Sequence, residues 1–296
     1  MKKILVIGKN GYVSNCFKEY IGQFKNEYTA ELITARDGLW KKCDFSQYEA
    51  IFNTVGLTHN DARAGTEDQF MKLNSELAYD LAYKAKKEGV KTFVHMSSMI
   101  VYGNMSGLGQ RRIITEKTIP DPSDSIYGRS KLAGEERIKQ LADENFSVAV
   151  IRSPLIYGIK APDNVKRLIQ FAQKFPVFPN LENHISMIYD ENLCELVRLI
   201  IENHSNGIFY PQQETAISTS QFVKDIAQAS GHKIWMTKIF NPALRILSHK
   251  VGFVGKAFGN QEYEIVLSNV FDGAYRKFTY QESIYKIALN NKDGAI

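Results

Sequence analysis

Tyr127 and Lys131, four positions apart, carry the most specific chemistry in this chain of 296 residues. On a helix the two share one face. A free phenol, with a pKa of about 10, is a poor base at neutral pH. An ammonium held beside it favours the phenolate, because an opposite charge stabilises the ionised form. Ahead of them, Ser97 and Ser98 precede Val101, Tyr102 and Gly103. A Ser hydroxyl at the end of a strand can hold a substrate oxygen while Tyr moves the proton. Such a set suits hydride transfer at a secondary alcohol or ketone, and a positively charged oxidised nicotinamide nearby would favour the phenolate further. A Tyr and a Lys at this spacing also arise by chance in many helices, so the elements that position them decide the reading.

The first such element opens the chain. Residues 3–7 read as a buried strand rich in β-branched side chains. The strand runs into Gly8, Lys9, Asn10, Gly11, Tyr12, Val13 and Ser14, and a helical pattern follows to about residue 21. A strand, a Gly-rich turn and a helix N-terminus form a pyrophosphate cradle. Gly allows close backbone approach and the helix end favours the anion. Gly8, Gly11, Tyr12 and Val13 are the expected cofactor contacts. Ser14 stands where a third Gly would let helix and strand pack closely, a small departure. The plain alternative is a βα turn that uses Gly for geometry alone.

A second strand is expected over 30–35, ending at Arg36 and Asp37. In this architecture that end faces the adenosine ribose, where an acid selects NAD and a base accommodates the 2′-phosphate of NADP. Arg36 comes first and favours NADP, and a solvated Arg–Asp loop pair is the plain alternative. Asp44 and Phe45 stand before the next strand, where an acceptor could meet the adenine amino group. Residues 49–55 form that strand, and Asn53, Thr54, Val55 and Gly56 at its end would let the cofactor lie across it. His59 follows in a loop as a candidate substrate contact, although a lone loop His is more commonly solvated.

Phe70, Leu73, Leu77, Leu81 and Ala85 have helical spacing over 66–88, and Gly89 closes that helix. Asn74 is polar among apolar neighbours there and is a candidate to anchor a backbone group or a water. Residues 91–96 form the strand that delivers Ser97 and Ser98. The stretch 103–124 is loop-like, with Gly107, Gly109, Pro120 and Pro122, and would form part of the substrate rim. Residues 125–144 form the helix of Tyr127 and Lys131, and 146–151 the next strand, after which Pro154 joins the expected cofactor contacts. Strands alternating with helices imply βαβ units, a parallel sheet and right-handed connections.

Composition is that of an ordinary soluble globular protein: 44% hydrophobic and 23% charged residues. The net charge of +5 is scattered, which gives no argument for nucleic acid and suits an anionic substrate weakly. Cys16, Cys43 and Cys194 have no metal-site spacing, and a reducing, cytoplasmic location is expected. The apolar run 4–7 is too short for a signal peptide, and no run approaches a membrane span.

The ordered set GxxGxxS, SSxxVYG, YxxxK and RxxxxYG resembles the extended short-chain dehydrogenase/reductase family, in its NAD-dependent epimerase/dehydratase group, over nearly the whole chain. The resemblance implies an α/β protein. A Rossmann-type doubly wound parallel sheet would span residues 1–155, with 185–212 returning to it. A small C-terminal α/β domain that binds a nucleotide-sugar would span 156–184 and 213–296. It also implies catalytic roles for Ser98, Tyr127 and Lys131, with Lys131 holding the nicotinamide ribose, and cofactor or structural roles for Gly8, Gly11 and Asn74. Ser97 and Met99, on either side of Ser98, are expected to meet the substrate. Family members that remove water carry an Asp-Glu pair after the Ser or Thr; Met99 and Ile100 stand there and neither transfers a proton, which argues against a 4,6-dehydratase.

Remaining are 4-keto-reductases and 4-epimerases. The short stretch between Arg36 and Asn53 is similar to the reductase-like branches. Gly38, Leu39 and Trp40, with Ser97, Ser98, Met99 and the run Pro176, Val177, Phe178, Pro179, resemble enzymes of bacterial capsule and O-antigen synthesis that act on UDP-sugars. A 4-keto-6-deoxy-sugar reductase using NADP or NAD is therefore favoured, with a UDP-sugar 4-epimerase as the alternative. A non-enzymatic dinucleotide sensor on the same fold would be expected to lose Tyr127 or Lys131. Asn164, Asn180 and Ser186 fall where the family contacts the nucleotide diphosphate. The family's late Arg-Pro-Gly-Asp run is absent. Arg245, Lys250 and Lys256, in the basic apolar stretch 244–258, could supply that charge, touch a membrane surface or simply belong to a packed amphipathic helix. Asp190 is expected to cap a helix. A homodimer through the helices at 66–88 and 125–144 is expected from the resemblance.

Overall fold

Unbroken apolar runs make strands that are covered on both faces. Ile4, Leu5, Val6 and Ile7 are all fully buried in β1 (Lys2–Ile7) of the computed structural model, which describes residues 1–58, 65–248 and 258–290. Five more strands join it: β2 (Tyr28–Ile33), β3 (Ala50–Asn53), β4 (Thr92–Ser98), β5 (Ser147–Ser153) and β6 (Gly207–Phe209). All pair in parallel, in the order β2-β1-β3-β4-β5-β6. The sheet is the Rossmann-type, doubly wound one that the motifs implied. Because β1 lies between β2 and β3, the winding reverses there, and the crevice for a ligand opens at the carboxyl ends of β1 and β3.

The second strand starts and ends two residues earlier than its composition suggested. Its limit comes from pairing: the peptide N–H groups of Gly8 and Lys9 both donate to the Ile33 carbonyl (2.9 and 3.1 Å), which closes the ladder. No full helix connects β2 to β3. A 3₁₀ turn, Arg36–Lys42, takes its place, and Trp40, Phe45 and Tyr48 fill the space beside Leu5, Ile51 and Phe93.

The helix expected over 66–88 has a break in its ladder. It runs as α2 (Glu67–Met71), a π turn (Lys72–Glu76) and α3 (Leu77–Lys87). Thr66 starts it with a reciprocal capping box to Gln69. Helix α4 (Ile126–Lys139) is shorter than expected, because residues 140–146 turn back through the Asp143–Phe146 pair into β5.

The chain divides into two units: Met1–Asn104 with Ile119–Ser153 and Glu191–Pro211, and Met105–Thr118 with Pro154–Asp190 and Gln212–Ile296. The second unit holds helices Asp163–Lys174, Thr219–Ala229 and Tyr280–Asn290 and three short strand pairs. One of these places Ile113–Ile114, within the stretch read as a loop, beside Glu262–Tyr263, which brings residues 105–118 into this unit. Another pairs Leu155–Tyr157 with Met187–Tyr189. Asp190 begins the helix Asp190–Glu202, and its carboxylate lies against Gly158, where a Cβ would meet it at 2.1 Å.

Candidate active site

The turn after β1 is built to exclude side chains. Gly8 has φ +128°, and a Cβ on it would lie 2.2 Å from Thr54 Oγ1. The Thr54 hydroxyl and N–H both donate to the Ile7 carbonyl (2.9 and 3.0 Å), which stitches the end of β3 to the end of β1. Gly11 N–H donates to the Gly8 carbonyl at 2.8 Å and begins α1 (Tyr12–Ile21). No side chain caps α1, and its first turn holds no acid. Such a helix end offers peptide N–H groups and a partial positive charge to an anion. Ser14 does not loosen the turn. It is buried, and its hydroxyl lies 2.5 Å from the Gly8 carbonyl and 2.8 Å from that of Gly11. These residues fit a dinucleotide pyrophosphate, and Tyr12 and Val13, which follow in α1, are half-buried.

The end of β3 continues the floor. Asn53 is buried; its Oδ1 accepts from Val55 N–H at 3.1 Å, and its Nδ2 donates to His95 Nδ1 at 3.1 Å. That bond leaves the proton of a neutral His95 on Nε2, and burial, with the Lys131 charge adding to it, holds the imidazole well below its usual pKa. Gly56 leaves room for two side chains: a Cβ there would lie 2.6 Å from Asn74 Oδ1 and 2.7 Å from Lys131 Nζ. Asn74 sits on the π turn, fully buried. Its amide accepts from Leu57 N–H (2.8 Å) and donates to the Leu57 carbonyl (3.2 Å) and to Ser130 Oγ (2.9 Å). The loop after β3 is therefore held from the helix side. Helix α4 passes close by, since a Cβ on Gly134 would lie 2.3 Å from the Asn74 carbonyl.

Ser98 ends β4 and caps the 3₁₀ turn Met99–Tyr102 by accepting from Ile100 N–H at 3.3 Å. Ser125 caps α4 by accepting from Gly128 N–H at 3.1 Å, which sets Tyr127 in the first turn and Lys131 one turn later. Lys131 Nζ donates to the Met96 carbonyl at 2.9 Å, two residues before Ser98. Gly128, next to Tyr127, would touch the Ile100 carbonyl at 2.7 Å through a Cβ, two residues after Ser98. Helix α4 thus brackets the end of β4 from both sides. Tyr127 is half-buried, with its ring in edge contact with Phe70 (centroids 6.4 Å apart). Lys131 is buried; burial lowers its pKa to about 8, against the upward pull of the Glu135 charge.

Ser97 turns its hydroxyl to the buried Glu135 carboxylate, and Met99 is buried. Phe45 belongs to the core, and its N–H donates to the Glu88 carboxylate at 2.6 Å. Asp44 is exposed and accepts from Ser46 N–H (3.0 Å) and hydroxyl (2.6 Å), which hold its carboxyl below the usual range. Arg36 is exposed at the start of its 3₁₀ turn. Pro154, Asn164, Asn180 and Ser186 belong to the second unit. Asn164 is in the first turn of helix Asp163–Lys174, and Asn180 is exposed. Ser186 is fully buried, and its hydroxyl donates to Gln212 Oε1 (2.5 Å) and accepts from Tyr263 N–H (2.8 Å). His59, Lys250 and Lys256 lie outside the described residues. Two buried groups beside the site, His95 and Glu135, were missed by motif reading. Glu135 had a legible signal: it lies four residues beyond Lys131, on the same helix face.

The profile of the NAD dependent epimerase/dehydratase family matches residues 4–210. A UDP-glucose 4-epimerase of Vibrio cholerae is 25% identical over 286 residues, covering 88% of this chain and 84% of that one. The fold also matches dTDP-4-dehydrorhamnose reductase from Bacillus anthracis in complex with NADP, at TM-score 0.71 and 18% identity over 98% of this chain and 99% of that one. The protein MoeE5 in complex with UDP-glucose and NAD matches at TM-score 0.70 and 16% identity, over 98% of this chain and 99% of that one.

Proposed function

The chain belongs to the NAD dependent epimerase/dehydratase family, and we propose that it carries out oxidoreduction at C4 of a nucleotide-linked sugar, as a 4-epimerase. The observation that carries the chemistry is the placement of Tyr127 and Lys131 on α4 around the Ser98 end of β4. The Gly8–Gly11 turn and the N-terminus of α1 would hold a dinucleotide pyrophosphate, with Gly56 and Asn74 beside Lys131 below it. A nicotinamide dinucleotide held there would supply the hydride chemistry at C4. Tyr127 takes the C4 hydroxyl proton as that carbon is oxidised and gives it back as the ketone is reduced. Ser98 donates to the C4 oxygen and keeps it facing the phenol. Lys131, held by the Met96 carbonyl, keeps a positive charge beside the developing phenolate. Met99 and Ile100 are buried and cannot ionise, so neither can transfer the proton of a water elimination.

The likeness to a UDP-glucose 4-epimerase over 88% of this chain supports epimerisation. A 4-keto-reductase using NADP is the second reading. It is favoured by Arg36, exposed just after β2 where a 2′-phosphate would lie, and by the helix-free β2–β3 connection. UDP-linked sugars of surface polysaccharide synthesis are the expected substrate class, and a reducing cytoplasm the expected site. The test is to denature freshly purified protein and identify the released nucleotide by chromatography and mass. Stoichiometric NAD, recycled in place, supports the epimerase. No bound nucleotide, with NADPH taken up from solution and consumed, overturns it in favour of the reductase.

A further inference from the structure

We infer that Glu135 is a positioning residue of this site: its buried carboxylate ties together the segments that carry Ser98, Tyr127 and Lys131 and keeps an anion one helix turn from the Lys131 ammonium. The inference deepens the proposed C4 oxidoreduction and rests on it for its catalytic meaning.

Glu135 is fully buried on α4. It accepts from the Ser97 hydroxyl on β4. From β5 it accepts Arg152 Nε (3.0 Å) and Nη2 (2.7 Å). Arg152 Nη1 in turn donates to the Tyr102 hydroxyl at 2.7 Å, and the guanidinium lies 5.1 Å from the Tyr102 ring centroid. Each partner adjoins a working group. Ser97 precedes Ser98. Tyr102 ends the 3₁₀ turn that Ser98 caps. Lys131 is four residues before Glu135 on one helix face. One carboxylate thus sets the end of β4, the turn after it and α4 relative to each other.

Stability alone is a poor reason for this arrangement. Desolvating two charges costs about as much as their attraction returns, and apolar replacements are often as stable. The charge matters more for Lys131, which interacts with the charge of Glu135 on its own helix α4 and with His95 on β4. His95 is neutral and Arg152 is already paired with Glu135. Burial drives the Lys131 proton off and the Glu135 charge holds it on. Removing that charge lets Lys131 deprotonate at lower pH.

The test titrates Lys131 directly, in protein carrying ¹³Cε-lysine, with Lys131→Met assigning its resonance. Because Glu135→Gln strands the Arg152 charge and can unfold the chain, the paired variant Glu135→Gln/Arg152→Met is measured beside it. The expected result in both is a fall of the Lys131 midpoint by about one pH unit, with the alkaline limb of kcat/KM moving equally. Glu135→Asp keeps the wild-type midpoint. An unchanged midpoint in the folded paired variant overturns the inference and reduces the pair to a core ion pair. A shifted midpoint together with wild-type turnover in Tyr127→Phe leaves the Glu135 coupling standing and overturns the proposed reaction instead.

Discussion

A buried ammonium and a half-buried phenol on consecutive turns of α4 make the site sensitive to single atoms. Replacing Tyr127 with Phe removes the proton carrier and keeps the ring contact with Phe70. Turnover is expected to fall at least about 100-fold, the low end for general acid–base catalysis. A variant that still turns over at the parent rate would remove Tyr127 from the mechanism. Lys131 gives a pH dependence with opposite signs in activity and stability. Activity needs its charge, so kcat/KM with limiting cofactor should fall as pH rises through about 8. For stability, the unfolded chain holds the Lys131 proton up to about 10.5 while the fold releases it near 8. Between those values the unfolded state binds more protons, and the Lys131 contribution to stability improves as pH rises. Urea unfolding of the parent and Lys131→Met should show a difference that shrinks across that window. Gly8→Ala places a Cβ on Thr54 Oγ1 in a backbone region that L side chains rarely adopt. It is expected to abolish dinucleotide binding, read by fluorescence, and to cost about 1–3 kcal/mol of stability.

Helix α4 is the element that gathers the site, and it does so through missing side chains. Gly128 admits the turn after Ser98, and Gly134 admits the π turn that carries Asn74. The π turn is what presents the Asn74 amide to both backbone groups of Leu57. Single π turns inside α-helices are rare and recur at functional sites. Asn74→Ala leaves the Leu57 N–H without this partner, so a loss of about 1–3 kcal/mol in urea unfolding is expected. Weaker cofactor binding should accompany it, because the loop after β3 loses its anchor. Parent-like stability would show that the π turn holds the loop without the amide. Periodicity could not reveal this turn. Phe70, Leu73, Leu77, Leu81 and Ala85 fit a continuous helix, whereas Leu73 and Leu77 are only half-buried and Asn74, Ser75 and Ala78 face inward. The one legible sign was a polar residue inside an apolar stripe.

At the assembly scale, the family resemblance leads to the expectation of a homodimer. On α3, Tyr79 and Tyr83 stack with centroids 5.9 Å apart, Tyr83 is 42% exposed, and Arg137 of α4 lies 4.6 Å from the Tyr79 ring. Tyr and Arg are enriched at the energetic centres of interfaces. Light scattering at micromolar concentration is expected to give a dimer mass for the parent and a monomer mass for Tyr83→Glu. A monomeric parent would rule this interface out.

The sequence alone determined the parallel sheet, the Gly8–Gly11 turn and the pairing of Tyr127 with Lys131 on one helix face. These depend on neighbours within a few residues: β-branched runs, a Gly where φ is positive, a spacing of four. The tertiary structure decided what each hydroxyl and ring faces. Ser97 and Ser98 are adjacent on a strand and so point to opposite sides, and only the packing of α4 on β4 turned Ser97 to Glu135 while Ser98 capped the turn. Phe45 went to the core because the short β2–β3 connection left a space that an aromatic had to fill. Ser186 was drawn inside by Gln212 and Tyr263, residues far along the chain. Contacts of that kind join positions that share no local pattern, and only chain folding brings them within hydrogen-bond reach.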